Sequence, residues 1–277
     1  MTDRPGHDGA VSSGSALRYV AIGDSLPRGF LFERPIRQPP GPIQVRWSPL
    51  LSLFDHPARG YPELVRQRLA ATGLQVRLDN TLTCTGAPVR AFWDRGPVRD
   101  LQRVLAGGAD IITLTVGAND ILPLWAGYAL AATAARGVPL VSHRRKQSLL
   151  DRVAPSSDAA EARLQTFEAR LSDLLGWLRV TSGDARIVLT TYYNPDGSSV
   201  VHERFVTPLN TRIRRVADAV PGTRVVELDP LFDGHRITAP NPRRWVSGVD
   251  GLHPTDAGQA VIATAVAAAI TGGRLVS

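Results

Sequence analysis

Tyr19-Val20-Ala21-Ile22-Gly23-Asp24-Ser25-Leu26 runs from four apolar residues into a glycine and then two small polar ones. A short, continuous apolar run closed by a turn signal suits a strand buried on both faces, which is the kind found inside parallel sheets. The same motif recurs downstream. Strands are expected at 75–81, 110–116, 186–191 and 224–228, the one at 110–116 continuous and rich in β-branched residues. Between them lie segments of helical period at 61–72, 100–106, 162–180, 205–220 and 255–270. The helix at 162–180 has the clearest apolar stripe, with Leu164, Phe167, Leu171, Leu174, Leu175 and Leu178 on one face.

Parallel neighbours need crossover connections, and right-handed crossovers place helices on both faces of the sheet. The expectation is therefore an α/β protein, a three-layer α/β/α arrangement around a parallel sheet, forming a single domain over 17–277. Residues 1–16, polar and without an apolar core, are expected to be a disordered leader on a cytoplasmic protein. Two stretches break the alternation and are expected to be insertions, near 31–60 and 122–158. The first is rich in proline and also holds Phe32, Trp47 and Phe54; the second holds Trp125, Tyr128 and the basic run Arg144-Arg145-Lys146. Loops of this length in a compact domain are usually functional or disordered.

Composition narrows the function. The 277 residues are 43% hydrophobic and 21% charged, enough apolar material for a core and too few charges for a disordered chain. No apolar stretch is long enough for a membrane span, and the single cysteine, Cys84, excludes an intramolecular disulfide framework and a cysteine-based zinc cluster. Histidines at 7, 56, 143, 202, 235 and 253 show no metal-ligand spacing, so no metal and no cofactor are expected. The net charge of +7 rests almost wholly on arginine, since Lys146 is the only lysine. Basic excess alone is a weak sign of nucleic-acid binding, which is not expected here.

Ligands of open parallel sheets sit beyond the carboxyl ends of the strands. Those ends carry Gly23-Asp24-Ser25, then a polar stretch reaching Gly86, then Gly117-Ala118-Asn119-Asp120, then Tyr192-Tyr193-Asn194-Pro195, and finally Asp250-Gly251-Leu252-His253-Pro254 before the last helix. A serine hydroxyl becomes a nucleophile when a base removes its proton, an acid orients that base, and donors meet the developing oxyanion. This rim holds residue types for each task. Asp24 and Asp120 are expected to hydrogen-bond within their own loops, and the Tyr192-Tyr193 pair either lines the site or forms a turn.

The blocks Gly23-Asp24-Ser25-Leu26, Gly86, Gly117-x-Asn119-Asp120 and Asp250-x-x-His253-Pro254 resemble, in this order, those of the SGNH/GDSL hydrolases, the GDSL-type esterases and lipases. The resemblance implies a flavodoxin-like five-stranded sheet of order 2-1-3-4-5. It also implies Ser25 as nucleophile, His253 as base, Asp250 as its orienting acid, and an oxyanion hole made by the Ser25 amide, Gly86 and Asn119. Pro27-Arg28 departs from the small or hydroxyl residues usual after the first block. Gly-x-Ser-x-Gly, Gly-x-Gly-x-x-Gly and phosphate-loop patterns are absent from the sequence.

The reading that follows is a cofactor-free serine hydrolase of carboxylic esters acting on a small-molecule substrate through an acyl-enzyme. A thioesterase or carbohydrate acetylesterase is a neighbouring alternative. A basic protein binding an anionic polymer on an inactive hydrolase scaffold is the alternative from another class. Phe30, Phe32, Trp47, Leu50, Leu51 and Phe54 from the first insertion, with Leu124, Trp125 and Tyr128 from the second, are expected to wall an acyl pocket.

Overall fold

A computed structural model describes residues 16–31, 51–93, 98–124, 127, 152 and 156–272. The expected leader up to residue 15 and most of both insertions, with Phe32, Trp47, Leu50, Trp125 and Tyr128, lie outside the described residues. Five strands, β1 (Leu17–Gly23), β2 (Val76–Thr83), β3 (Ile111–Thr115), β4 (Arg186–Thr190) and β5 (Thr223–Val226), form one sheet in the order β2-β1-β3-β4-β5. Every pairing is parallel. All residues of β3 are buried, as a strand covered on both faces requires.

The longer covering helices are those the periodicity anticipates, and the short ones between them it does not mark. Among the described residues, α1 (Ser25–Arg28) is followed by α2 (Tyr61–Ala71), α3 (Arg90–Trp93), α4 (Val98–Leu105) and α5 (Ser157–Ser182). Beyond β4 come α6 (Ser199–Val201), a π-turn (His202–Val206) and α7 (Thr207–Asp218); α8 (Leu228–Leu231) and α9 (Asp256–Thr271) close the chain. Helix α2 packs on α9, and α5 on α7. The stripe expected on α5 is buried along its whole length.

Two helices differ from expectation, each for a local reason. Helix α5 starts at Ser157, inside the stretch assigned to the second insertion, with Ser156 capping it by accepting the Ala159 N–H. Its first turns hold Ala159, Ala160 and Ala162, too small to register as an apolar stripe. The helix expected at 205–220 is entered through α6 and the π-turn, where Thr207 N–H reaches back to His202 O. Pro208 in the first turn of α7 has no N–H to give, so the widened turn falls where a regular ladder would be broken in any case. Residues 118–124, which span the end of the expected strand-end block and the start of the expected second insertion, are helical.

Gln259 of α9 joins the strand-end elements to the helical layer. It is 1% exposed, its Oε1 accepts the Tyr61 N–H at 2.9 Å, and its Nε2 donates to Leu26 O at 3.0 Å. Removing it orphans a buried donor and a buried acceptor, at about 1–3 kcal/mol each. Gln259→Ala is expected to lower unfolding free energy by roughly 2–4 kcal/mol in urea titration. A loss within about 0.5 kcal/mol, the usual surface range, would mean that both groups find other partners.

Candidate active site

β1 and β3 are neighbours, and both chains leave the same edge of the sheet. Asp24 ends β1 by donating its N–H to Thr115 O at 3.0 Å, and its Oδ1 accepts the Leu26 N–H at 3.0 Å, starting α1 at Ser25. Four residues later Gly29, in a left-handed conformation at φ 72°, ends that helix, and a Cβ there would lie 2.4 Å from His56 O. Ser25 is thereby held on a single short turn, 7% exposed.

The last sequence block reaches the same place from β5's side of the chain. Ser25 Oγ lies 2.8 Å from His253 Nε2, and His253 Nδ1 lies 2.7 Å from Asp250 Oδ2. The other oxygen of Asp250 accepts the backbone N–H groups of Leu252 at 2.9 Å and His253 at 3.1 Å. Burial opposes ionisation of Asp250, but the hydrogen bond and charge of His253 and these two amides outweigh it and hold its carboxyl below the usual carboxylate range. The loop bearing the pair is tied by Ser247 N–H to His253 O at 2.8 Å and by Tyr193 O–H to Leu252 O at 2.6 Å.

Gly86 sits on a further strand-end loop and Asn119 at the start of the helical stretch that follows β3, and the two segments are joined to one another. Cys84 N–H donates to Gly23 O at 2.8 Å, and Ala87 N–H closes the turn onto Cys84 O at 3.1 Å, with Gly86 at φ 80° where a type II turn places glycine. Asn119 Nδ2 donates to Ala87 O at 3.3 Å, which orients the amide while leaving its second hydrogen for another acceptor. Asp120 accepts the Val89 N–H at 2.9 Å. Gly117, between β3 and Asn119, has φ 130°, and a Cβ there would meet the Phe167 ring at 2.7 Å.

Three side chains take roles that the sequence did not reveal. Tyr192 is no lining residue: it is buried and donates its hydroxyl to Asp24 Oδ2 at 2.5 Å. Tyr193 is likewise buried, under the histidine loop, its ring stacked on Phe232 at 3.9 Å. Phe30, expected in the acyl wall, is 3% exposed and lies against the His253 imidazole with centroids 4.4 Å apart. Phe54 meets Phe30 at 5.8 Å, while Leu51 and Leu53 beside it are exposed. Sequence distance hid these contacts, since each joins segments far apart in the chain. Among the described residues no group of His, Cys, Asp and Glu is arranged to hold a metal ion, and no helix is long and apolar enough to cross a membrane.

Residues 21–261 match the GDSL-like Lipase/Acylhydrolase family. Lipase 2 of Streptomyces coelicolor is 26% identical over 265 residues, covering 89% of this chain and 81% of that protein. Among solved structures, an extracellular lipase from Streptomyces rimosus superposes with a TM-score of 0.61 at 19% identity, covering 92% of this chain and all of the other. An acetylxylan esterase from Geobacillus stearothermophilus gives 0.58 at 20% identity, covering 93% and 95% of the two chains. At these identities the two structures show the shared fold.

Burial pushes the Asp24 carboxyl up to about 6, against the opposing hydrogen bonds from Tyr192 and Leu26, and it pushes Asp120 up to about 6 as well. The folded protein then holds the Asp24 proton more tightly than the unfolded chain. This carboxyl favours folding below its ordinary value of 3.8, and that preference is lost as pH rises through 6. Asp24→Asn, whose amide oxygen can still cap Leu26, removes the titration. Relative to the variant, the parent protein is expected to lose up to about 3 kcal/mol between pH 4 and pH 7. Denaturant midpoints across that range check this; parallel pH curves for the two proteins would contradict it.

Proposed function

Since the chain belongs to the GDSL-like lipase/acylhydrolase family and is a serine ester hydrolase, we propose that it cleaves carboxylic esters by passing the acyl group first to Ser25 and then to water. The observation that supports this best is the continuous relay from Asp250 through His253 to Ser25, with contacts of 2.7 and 2.8 Å. In this reading His253 Nε2 takes the Ser25 proton as Oγ attacks the ester carbonyl carbon. Asp250 keeps the proton on Nδ1, so that the lone pair faces serine, and stabilises the imidazolium that forms. The tetrahedral intermediate collapses when His253 returns the proton to the leaving alcohol. Water then repeats the sequence on the acyl-enzyme, with His253 again as base.

The oxyanion is met by the Ser25 amide, the Gly86 amide and the second N–H of Asn119. Preorganised donors of this kind act most strongly on the charge that develops in the transition state. The rigidity of the rim supports the role: Asn119 is oriented by Ala87 O and the Gly86 turn is fastened to Gly23. On the substrate side, the lipase relative and the exposed Leu51 and Leu53 beside the Phe54–Phe30 pair favour an apolar acyl chain over acetate. A panel of p-nitrophenyl esters of rising acyl length, with acyl-thioester and acetylated-sugar counterparts, tests that preference.

Ser25→Ala is expected to fold, to lose nearly all turnover, and to lose labelling by a fluorophosphonate probe that modifies the parent at Ser25. Unchanged hydrolysis by the folded variant would refute the nucleophile. Inertness of the parent, combined with steeply salt-dependent polymer binding, would favour the binding-protein reading instead. Asn119→Ala is expected to reduce kcat by roughly 10² to 10³ with little change in KM, as for other oxyanion donors. A change in KM alone would make Asn119 a ground-state binding residue.

A further inference from the structure

The first insertion is closed at its base by backbone pairing, and that closure carries a charged side chain inward. Leu31 N–H donates to Phe54 O at 2.9 Å, His56 N–H donates to Gly29 O at 3.1 Å, and Phe30 bridges Asp55 in antiparallel fashion. Asp55, 2% exposed, is then enclosed between two other segments. Its Oδ1 accepts the Thr85 hydroxyl at 2.5 Å and its Oδ2 accepts Arg28 Nε at 3.2 Å. Arg28 ends α1, three residues after Ser25, and its guanidinium also reaches Thr83 Oγ1 at 3.5 Å. Thr85 immediately precedes Gly86.

We propose that Asp55 is a positioning residue for the oxyanion hole: through Thr85 it locates the apex of the Gly86 turn relative to the α1 turn that bears Ser25. This rests on the reading of Gly86 as an oxyanion donor. The base of the turn is tied to Gly23 O, and its far side to Asn119 and Asp120. The Thr85–Asp55 bond adds the tie at the apex, beside the donor itself. One carboxylate, accepting from both Thr85 and Arg28, sets the spacing between the nucleophile's helix and the donor's turn. A charge-assisted hydrogen bond between buried groups is short and directional, which apolar packing is not. Oxyanion donors act over a range of about 2.7–3.1 Å, so a fraction of an ångström matters. The arrangement also gives Arg28 a use, at the position where the sequence departs from the family's small or hydroxyl residues.

Thr85→Val keeps the shape of the side chain and removes only the hydroxyl, so it tests the link even if Asp55→Ala fails to fold. It is expected to lower kcat for a p-nitrophenyl ester by roughly 10- to 100-fold with KM within about twofold, and to weaken inhibition by phenylboronic acid, which forms a tetrahedral adduct on serine, in parallel. Thr85→Ser is expected to restore most of the loss, and Asp55→Asn, which disturbs the pairing with Arg28, to follow Thr85→Val in direction. Full kcat in folded Thr85→Val, a loss confined to KM, or a kcat loss without weaker boronate binding would overturn the proposal. If Asn119→Ala reduces kcat while Thr85→Val does not, the positioning role alone fails. If neither reduces it, the oxyanion reading fails with it.

Discussion

The hydrogen bond from Asp24 N–H to Thr115 O fastens the end of β1 to the end of β3, at the point where the strand order turns outward in both directions. Gly23 makes it possible. A Cβ at that residue would lie 2.4 Å from Thr115 O and 2.8 Å from the Pro27 ring, so any side chain would force the two strand ends apart. From this contact follow the start of α1 at Ser25, the cap that Asp24 provides, and the direction in which Ser25 faces His253. The Gly86 turn depends on the same backbone, because Cys84 N–H donates to Gly23 O. Ser25 and the Gly86 turn are thus referenced to one residue.

Beneath the rim the sheet contains a set of buried polar groups that are paired with one another. Tyr61 O–H, Thr115 and Thr190 form a hydroxyl chain with separations of 2.7 and 2.8 Å, and Tyr19 O–H meets Thr113 at 3.0 Å. Burial pushes the Tyr61 phenol up to about 12 and those of Tyr19, Tyr192 and Tyr193 well above their ordinary value, so all four stay neutral donors at physiological pH. Buried polar groups are costly when unpaired and give direction when paired, which apolar contacts cannot do. Thr115 and Thr190 end β3 and β4, so the chain they form with Tyr61 gives that part of the rim fixed orientations.

The histidine is constrained from several sides for the same purpose. Phe30 lies against its ring at a tilt, Asp250 holds Nδ1, and Val246 bridges Pro254. Helix α9 then begins at once, with Thr255 as its cap and Thr255 N–H bonded to Trp245 O. Gly258 lets that helix approach so closely that a Cβ would fall 2.5 Å from Trp245 O. The imidazole consequently has little freedom except along the line joining Asp250 to Ser25.

Strand positions, the long helices and the Ser25, Asp250 and His253 set are legible in the sequence because each rests on a local signal. A strand buried on both faces is a continuous apolar run, a covering helix repeats at its own period, and a strand-end block keeps its spacing along the chain. The strand order, and the grouping of Ser25 with Asp250 and His253 as one set, are what resemblance to a family implies and not what periodicity shows. Local signals fade where residues are small or backbone geometry decides, hence the early start of α5 among alanines and the π-turn before Pro208. They are silent on partnerships across the fold. Nothing near Tyr192 marks it as the donor to Asp24, 168 residues away, and nothing near Asp55 marks it as the acceptor for Thr85, 30 residues on. Those pairings exist because parallel strands bring their carboxyl ends to one edge, where desolvation obliges every polar group to find a partner. Only the tertiary structure determines which partner each one meets.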